Sequence, residues 1–75
     1  MKMIHHHHRL IIGFLFLEVF WAMSNYCAES EDIALKVIQS DIFELALRAI
    51  KQMTHVDVAK EAVWMVGNII NVLSE

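Results

Sequence analysis

The stretch that decides the fold is Glu61-Ala62-Val63-Trp64-Met65-Val66-Gly67-Asn68, at the centre of a predicted long helix over residues 57–73. At about 100° per residue, one side of this helix is apolar. It consists of Ala59, Ala62, Val63, Val66, Ile69, Ile70 and Leu73. The other side is polar and consists of Asp57, Lys60, Glu61, Gly67, Asn68 and Asn71. Trp64 falls in the middle of the polar side, where its large aromatic surface requires a partner or a neighbouring element to cover it.

A second copy of this pattern lies nearer the amino terminus. The motif Glu-x-x-Trp-x-x-x-Asn occurs as Glu18, Trp21 and Asn25 and again as Glu61, Trp64 and Asn68, with the two copies 43 residues apart. On the wheel of the first copy the apolar side holds Phe16, Val19, Phe20, Met23 and Cys27, whereas Glu18, Trp21, Ser24 and Asn25 lie away from it. A period near 43 is in the range of the HEAT and armadillo helical repeats.

Composition narrows the fold class and the partners. The chain has 75 residues, of which 57% are hydrophobic, so it is at most one small domain with an unusually apolar surface. The net charge of −3 argues against a nucleic-acid partner and favours a basic one. The single cysteine, Cys27, predicts a buried thiol and no internal disulfide. The absence of proline and the presence of only two glycines favour an all-α fold.

The first 28 residues leave two interpretations open. Residues 1–9 include His5 to His8 and predict an unstructured start, and residues 10–28 predict a helix that carries the first copy of the motif. The apolar run Leu10 to Leu17 behind Lys2 and Arg9 also imitates a secretory signal peptide cleaved after Ser24. Glu18 argues against that alternative, and it argues more strongly against a membrane-spanning helix, since it would lie near the middle of the bilayer.

Residues 29–73 predict three helices. Ser30 caps a short helix with Glu31 and Asp32 in its first turn. Asp41 and Glu44 form a capping box for a middle helix from Ile42 to about Met53, which is apolar nearly all round and therefore predicted to be buried on most sides. Residues 54–56 connect it to the long helix, which Thr54 or Asp57 caps.

The chain resembles an armadillo repeat of the importin alpha type. The third helix of that family has a pattern close to Lys-Glu-Ala-x-Trp-x-x-Ser-Asn, which Lys60 to Asn68 follows except at Gly67, and Phe20 to Asn25 follows its second half. Val37 to Phe43 is similar to the junction of the family's first and second helices. The resemblance implies an α-solenoid fragment, with one full three-helix repeat over 29–73 and the last helix of a preceding repeat over 10–28.

The resemblance also implies a function, the binding of basic nuclear-localisation-type peptides by a nuclear import adaptor of the cytoplasm and nucleus. Third helices of successive repeats would line a groove in which Trp21 and Trp64 hold a lysine stem between their rings. Asn25 and Asn68 would pair with the peptide backbone, and Glu18 and Glu61 would attract basic side chains. No basic segment of the kind that binds importin beta is present.

The alternatives are a small secreted or membrane-anchored helical protein with a signal at 1–24, and a generic armadillo scaffold for another extended partner. The tryptophans would then serve only as packing residues. No catalytic grouping, cofactor motif or cysteine–histidine metal spacing occurs, so the sequence does not predict an enzyme. Apolar end faces predict self-association.

Overall fold

The computed structural model describes the backbone of residues 2–75 and the side chains of residues 12–75. Four helices follow one another: α1 (Lys2–Glu29), α2 (Glu31–Ile38), α3 (Asp41–Gln52) and α4 (Val56–Leu73). Within residues 2–75 there is no strand, so the predicted all-α class is confirmed. The prediction of an unstructured start at residues 1–9 is wrong for residues 2–9, because α1 begins at Lys2. Among the described residues, no helix has both the length and the apolar character that a bilayer crossing needs.

The helix starts follow the sequence in one case and depart from it in two. Ser30 is the N-cap of α2, and its hydroxyl accepts a hydrogen bond from the Ile33 N–H at 3.2 Å, as predicted. The capping box at Asp41 is wrong, because Asp41 lies inside α3 and Ser40 is the N-cap, without a side-chain capping bond. The predicted caps of the long helix are also wrong: His55 occupies the N-cap of α4.

The reversal between α3 and α4 is made by one residue. Met53 has φ 52° and ψ 29°, the left-handed conformation that commonly ends a helix, and its N–H bonds the Ala49 carbonyl. Three residues, Met53 to His55, therefore separate the two helices, which forces them to run antiparallel.

The most extensive packing in the chain is between α1 and α4, which run parallel and in register. At one end, a Cβ built on Gly13 would lie 3.8 Å from the imidazole of His55. At the other end, the Asn68 side-chain amide donates to the Ser24 carbonyl at 3.0 Å. These contacts join residues 42 and 44 positions apart, which brackets the 43-residue offset of the repeated motif. The repeat in the sequence is thus expressed as side-by-side helices.

The core lies where α1 and α4 meet the two shorter helices. Its buried side chains include Phe20, Cys27, Ala34, Val37, Ala46, Val58, Ala62, Met65 and Ile69. Phe16 stacks on Phe20 with ring centroids 5.9 Å apart, which extends the core along α1. Many of these side chains are small, so the helices approach closely and the core is thin.

Several predicted helix faces are rotated from those observed. On α4, Val58 and Met65 are buried, whereas Val63 and Ile70 are 54% and 62% exposed. On α1, Ser24 is buried instead of facing away, because its hydroxyl bonds the Trp21 carbonyl at 2.7 Å and its small side chain fits under α4. Val19, expected on the buried side, is 40% exposed. A helical wheel describes one helix alone, whereas the positions of the neighbouring helices determine which part of a broad apolar side is covered.

The middle helix is less covered than predicted. Ala46 is its one fully buried residue, and Leu47 is 46% exposed. α3 contacts α2 and α4 on one side, which leaves its opposite side open to solvent. The expectation of burial on most sides is therefore wrong for this chain.

Two phenylalanines of α1 test which face of the helix is packed. Phe20→Ala removes a ring that is 1% exposed and should lower the free energy of unfolding by about 3–5 kcal/mol. Phe14→Ala removes a ring that is 68% exposed and should change it by no more than about 0.5 kcal/mol. Urea unfolding followed by helical circular dichroism measures both, and equal losses would contradict the observed packing of α1.

Cys27 gives a pH-dependent test of the core. Burial raises the pKa of the Cys27 thiol above its ordinary value of 9.0, so the unfolded chain loses this proton at lower pH than the folded chain. The free energy of unfolding should therefore be insensitive to this group below its ordinary pKa and fall as the pH rises above it. Unfolding measured across that range in wild type and in Cys27→Ala, which lacks the thiol, isolates the effect. Identical slopes would show that the thiol is not buried.

Candidate functional site

The two tryptophans stand at the same height on the same surface of the helix pair. Trp21 and Trp64 both lie between the two cross-contacts that fix the register of α1 and α4. At about 100° per residue, Trp21 is turned by about 60° from Ser24 and Trp64 by about 40° from Asn68 in the opposite sense. Since Ser24 and Asn68 face each other across parallel helices, opposite turns carry both indoles to one side. They are 57% and 64% exposed.

The two glutamates of the motif are not equivalent. Glu18 is exposed on α1, one turn before Trp21. Glu61, one turn before Trp64, is half-buried, and its Oε2 atom is buried with no hydrogen-bond partner among the described residues. A carboxylate oxygen that is out of water and unpaired is costly, and a donor placed beside it is correspondingly stabilised.

The two asparagines also differ. Asn25 is exposed. Asn68 is half-buried and gives one N–H to the Ser24 carbonyl. A primary amide has two N–H donors and a carbonyl oxygen, so a second donor and the acceptor remain on Asn68. Asn68 therefore holds α1 against α4 and retains hydrogen-bonding capacity beside Trp64.

The six motif residues lie at matching heights on the two parallel helices α1 and α4, and we refer to them together as the strip. The strip begins with the glutamates, continues with the indoles and ends with the asparagines. Sequence reasoning missed the contribution of Ser24, whose carbonyl fixes Asn68. The only sequence signal for it was that a small residue precedes the asparagine in both copies of the motif, Ser24 before Asn25 and Gly67 before Asn68.

A separate apolar recess of about 160 Å³ lies between α1, α3 and the start of α4. Its lining includes Phe16, Phe20, Leu45 and Val58 and none of the six motif residues. The lining of the recess also includes Arg48, Gln52, Thr54 and His55. We regard the strip as the functional candidate, because it combines aromatic, acidic and amide side chains that recur at the 43-residue offset. Among the described side chains, no group of three or more His, Cys, Asp and Glu is placed to hold a metal ion.

Comparison with protein-family models, with curated proteins and with solved structures found no match to this chain. The resemblance to armadillo repeats therefore stays a prediction that rests on the motif and its spacing.

The paired asparagines test how the strip is held together. Asn68→Ala removes the bond to the Ser24 carbonyl and should destabilise the fold by about 0.5–1.5 kcal/mol. Asn25→Ala, at the equivalent position of the first copy, removes an exposed amide and should change stability by less than about 0.5 kcal/mol. Thermal and urea unfolding of the two variants measure the difference, and equal effects would argue against the inter-helix bond.

Proposed function

We propose that the strip on α1 and α4 binds extended, basic peptide segments, and that the chain acts as an importin alpha-like element of a nuclear import adaptor. The observation that carries the proposal is the parallel, in-register packing that brings Trp21 and Trp64 to one surface, both exposed. Two exposed indoles side by side on a rigid helix pair are expensive to leave in water unless a partner covers them.

A lysine or arginine stem fits the space that such a pair creates. Packed helix axes lie about 8–10 Å apart. A methylene chain between two ring faces needs a carbon contact of about 3.5–4.0 Å on each side, together about 7–8 Å. The stem is then buried between apolar faces while its cation remains near the rings and the solvent, an arrangement worth about 0.5–2 kcal/mol for each cation–indole pair.

The acidic residues select for positive charge. Glu61 is half-buried beside Trp64, and its negative charge favours a guanidinium or ammonium group of a bound peptide. Glu18 adds negative potential from the facing helix, and the net charge of −3 acts in the same direction. An uncharged peptide gains none of these terms.

The amides give the peptide its direction. Asn25 and the remaining donor and acceptor of Asn68 lie one turn beyond the indoles, where they can pair with backbone N–H and C=O groups of an extended chain. Backbone pairing fixes the position of the peptide without reading its side chains. Specificity for basic residues then comes from the indoles and the glutamates.

The finer fold assignment is part of the same proposal. We infer that α2, α3 and α4 form one armadillo-type repeat and that α1 is the third helix of a preceding repeat. The short, middle and long helices in that order, and the parallel relation of α1 to α4 at the repeat offset, support it. In such an array each successive repeat adds one indole, one glutamate and one asparagine to the strip, so affinity grows with the number of repeats.

Tryptophan fluorescence provides a direct test on the full chain. Titration with a lysine-rich peptide should give a saturable change, and a peptide of the same length with alanine in place of lysine should give none. Trp64→Ala should abolish the saturable change, because one of the two indole rings that hold the lysine stem is lost. Leu47→Ala, which removes an exposed side chain of α3 away from the strip, should bind like wild type.

Glu61→Gln separates charge from packing in this titration. It keeps the shape of the side chain but removes the negative charge, so binding of the lysine peptide should weaken by about tenfold or less and lose part of its salt dependence. The proposed function would be overturned if a folded sample showed no fluorescence change with the lysine peptide, or if it bound the alanine peptide equally well.

A further inference from the structure

Two apolar stripes remain exposed on opposite sides of the helix pair. The α1 stripe consists of Ile12, Leu15, Val19 and Tyr26, with the half-buried Ala22 among them. The α4 stripe consists of Val56, Val63 and Ile70, with the exposed Gly67 among them. Neither stripe overlaps the strip of the two tryptophans, so the proposed peptide site does not account for them.

The α1 stripe repeats the buried face of α4. Moving it by the 43-residue offset of the motif places four of its five members on buried residues, Val58, Ala62, Met65 and Ile69, and the fifth, Ile12, on the exposed N-cap His55. In the order of the chain, the pairs are Leu15 with Val58, Val19 with Ala62, Ala22 with Met65, and Tyr26 with Ile69. The exposed side of α1 thus has the chemical character of the side by which α4 packs onto its neighbours.

The α4 stripe in turn repeats the buried face of α1. The same offset takes Gly13, Phe20, Ser24 and Cys27 to Val56, Val63, Gly67 and Ile70. Phe20, Ser24 and Cys27 are buried, and Gly13 is half-buried beside His55. The two exposed stripes therefore resemble the buried faces of α4 and of α1, and they are presented on opposite sides of one chain.

From this correspondence we propose that copies of the chain stack head to tail, with the α1 stripe of one copy packed on the α4 stripe of the next. The geometry would repeat that of α1 and α4 within one chain. Because the two stripes are different surfaces, the contact is heterologous and does not close on itself as a two-fold dimer does. Association is therefore open-ended and yields stacks of increasing length.

One hydrogen bond identifies the register of the stack. Within the chain the Asn68 amide donates to the Ser24 carbonyl, and the offset converts this pair into Asn25 and Gly67. Asn25 of the next copy accordingly donates to the Gly67 carbonyl. Gly67 suits this role, because a Cβ at its position would meet nothing within 4 Å, so the space outside α4 is open to an incoming helix.

The surface area is consistent with a covered interface. The chain exposes 5867 Å², whereas a compact monomer of 8.7 kDa is expected to expose about 4,700 Å². The excess of about 1,100 Å², part of which reflects the elongated shape of the chain, is larger than the roughly 800 Å² that a partner contributes to one standard interface and smaller than the roughly 1,600 Å² of two. Stacking also places Trp64 of one copy beside Trp21 of the next, which continues the tryptophan strip across the junction.

A complementation experiment tests the heterologous contact. Leu15→Glu puts a charge in the α1 stripe and Val63→Glu puts one in the α4 stripe, both at exposed positions, so each variant should keep wild-type helicity. Sedimentation of wild type should give an average mass that rises with concentration beyond twice 8.7 kDa. Each variant alone should be monomeric, and their mixture should form a one-to-one dimer, because each supplies the stripe that the other lacks.

Phe14→Glu is the matched control. Phe14 is exposed next to Leu15 but lies on neither stripe, so this variant should associate like wild type. Loss of association in Phe14→Glu would indicate general apolar adhesion instead of stripe pairing and would overturn the proposal. A monomeric wild type, or a mixture of the two stripe variants that stays monomeric, would overturn it as well. Asn25→Ala should weaken stacking several-fold without affecting the helicity of the monomer.

Discussion

The parallel packing of α1 on α4 is the constraint on which the rest of the structure depends. Two contacts near opposite ends of the pair fix both its direction and its register, one at Gly13 and His55 and the other at Ser24 and Asn68. Parallel neighbours cannot be joined by a short turn, so the chain between them must travel back. The two short helices α2 and α3 make that return and cover the rear of the pair.

Small side chains make this arrangement possible in a chain of 75 residues. Ala34, Ala46, Ala59 and Ala62 are buried, so the helices approach closely, and the buried Ser24 hydroxyl is paired within α1. The consequence is a thin core with much apolar surface still outside. A thin core stabilises a single unit weakly, and repetition of the same interface is how helical repeats compensate for it.

The same packing separates two kinds of surface. One side of the pair collects the indoles, the amides and the glutamates, with one carboxylate oxygen of Glu61 out of water and unpaired. The flanking sides collect the apolar stripes of α1 and α4. A polar, aromatic strip bordered by apolar edges suits a molecule that binds an extended ligand along one surface and its own kind along the others. Both proposed roles use one interface and its 43-residue repeat.

The helical class, the order of short, middle and long helices, the cap at Ser30 and the position of Trp21 and Trp64 away from the apolar sides of their helices could be predicted from the sequence. These follow from local periodicity, capping chemistry and a motif whose repetition is visible without coordinates. Only the tertiary structure decided which part of each broad apolar side is covered. Val63 and Ile70 are exposed while Val58, Met65 and Ser24 are buried, because the covered side of a helix is set by the direction of its neighbours. The tertiary structure also decides that Asn68 is held by a hydrogen bond while Asn25 is exposed. Asn68 faces α1, whereas among the described residues no helix packs on the side of α1 that carries Asn25.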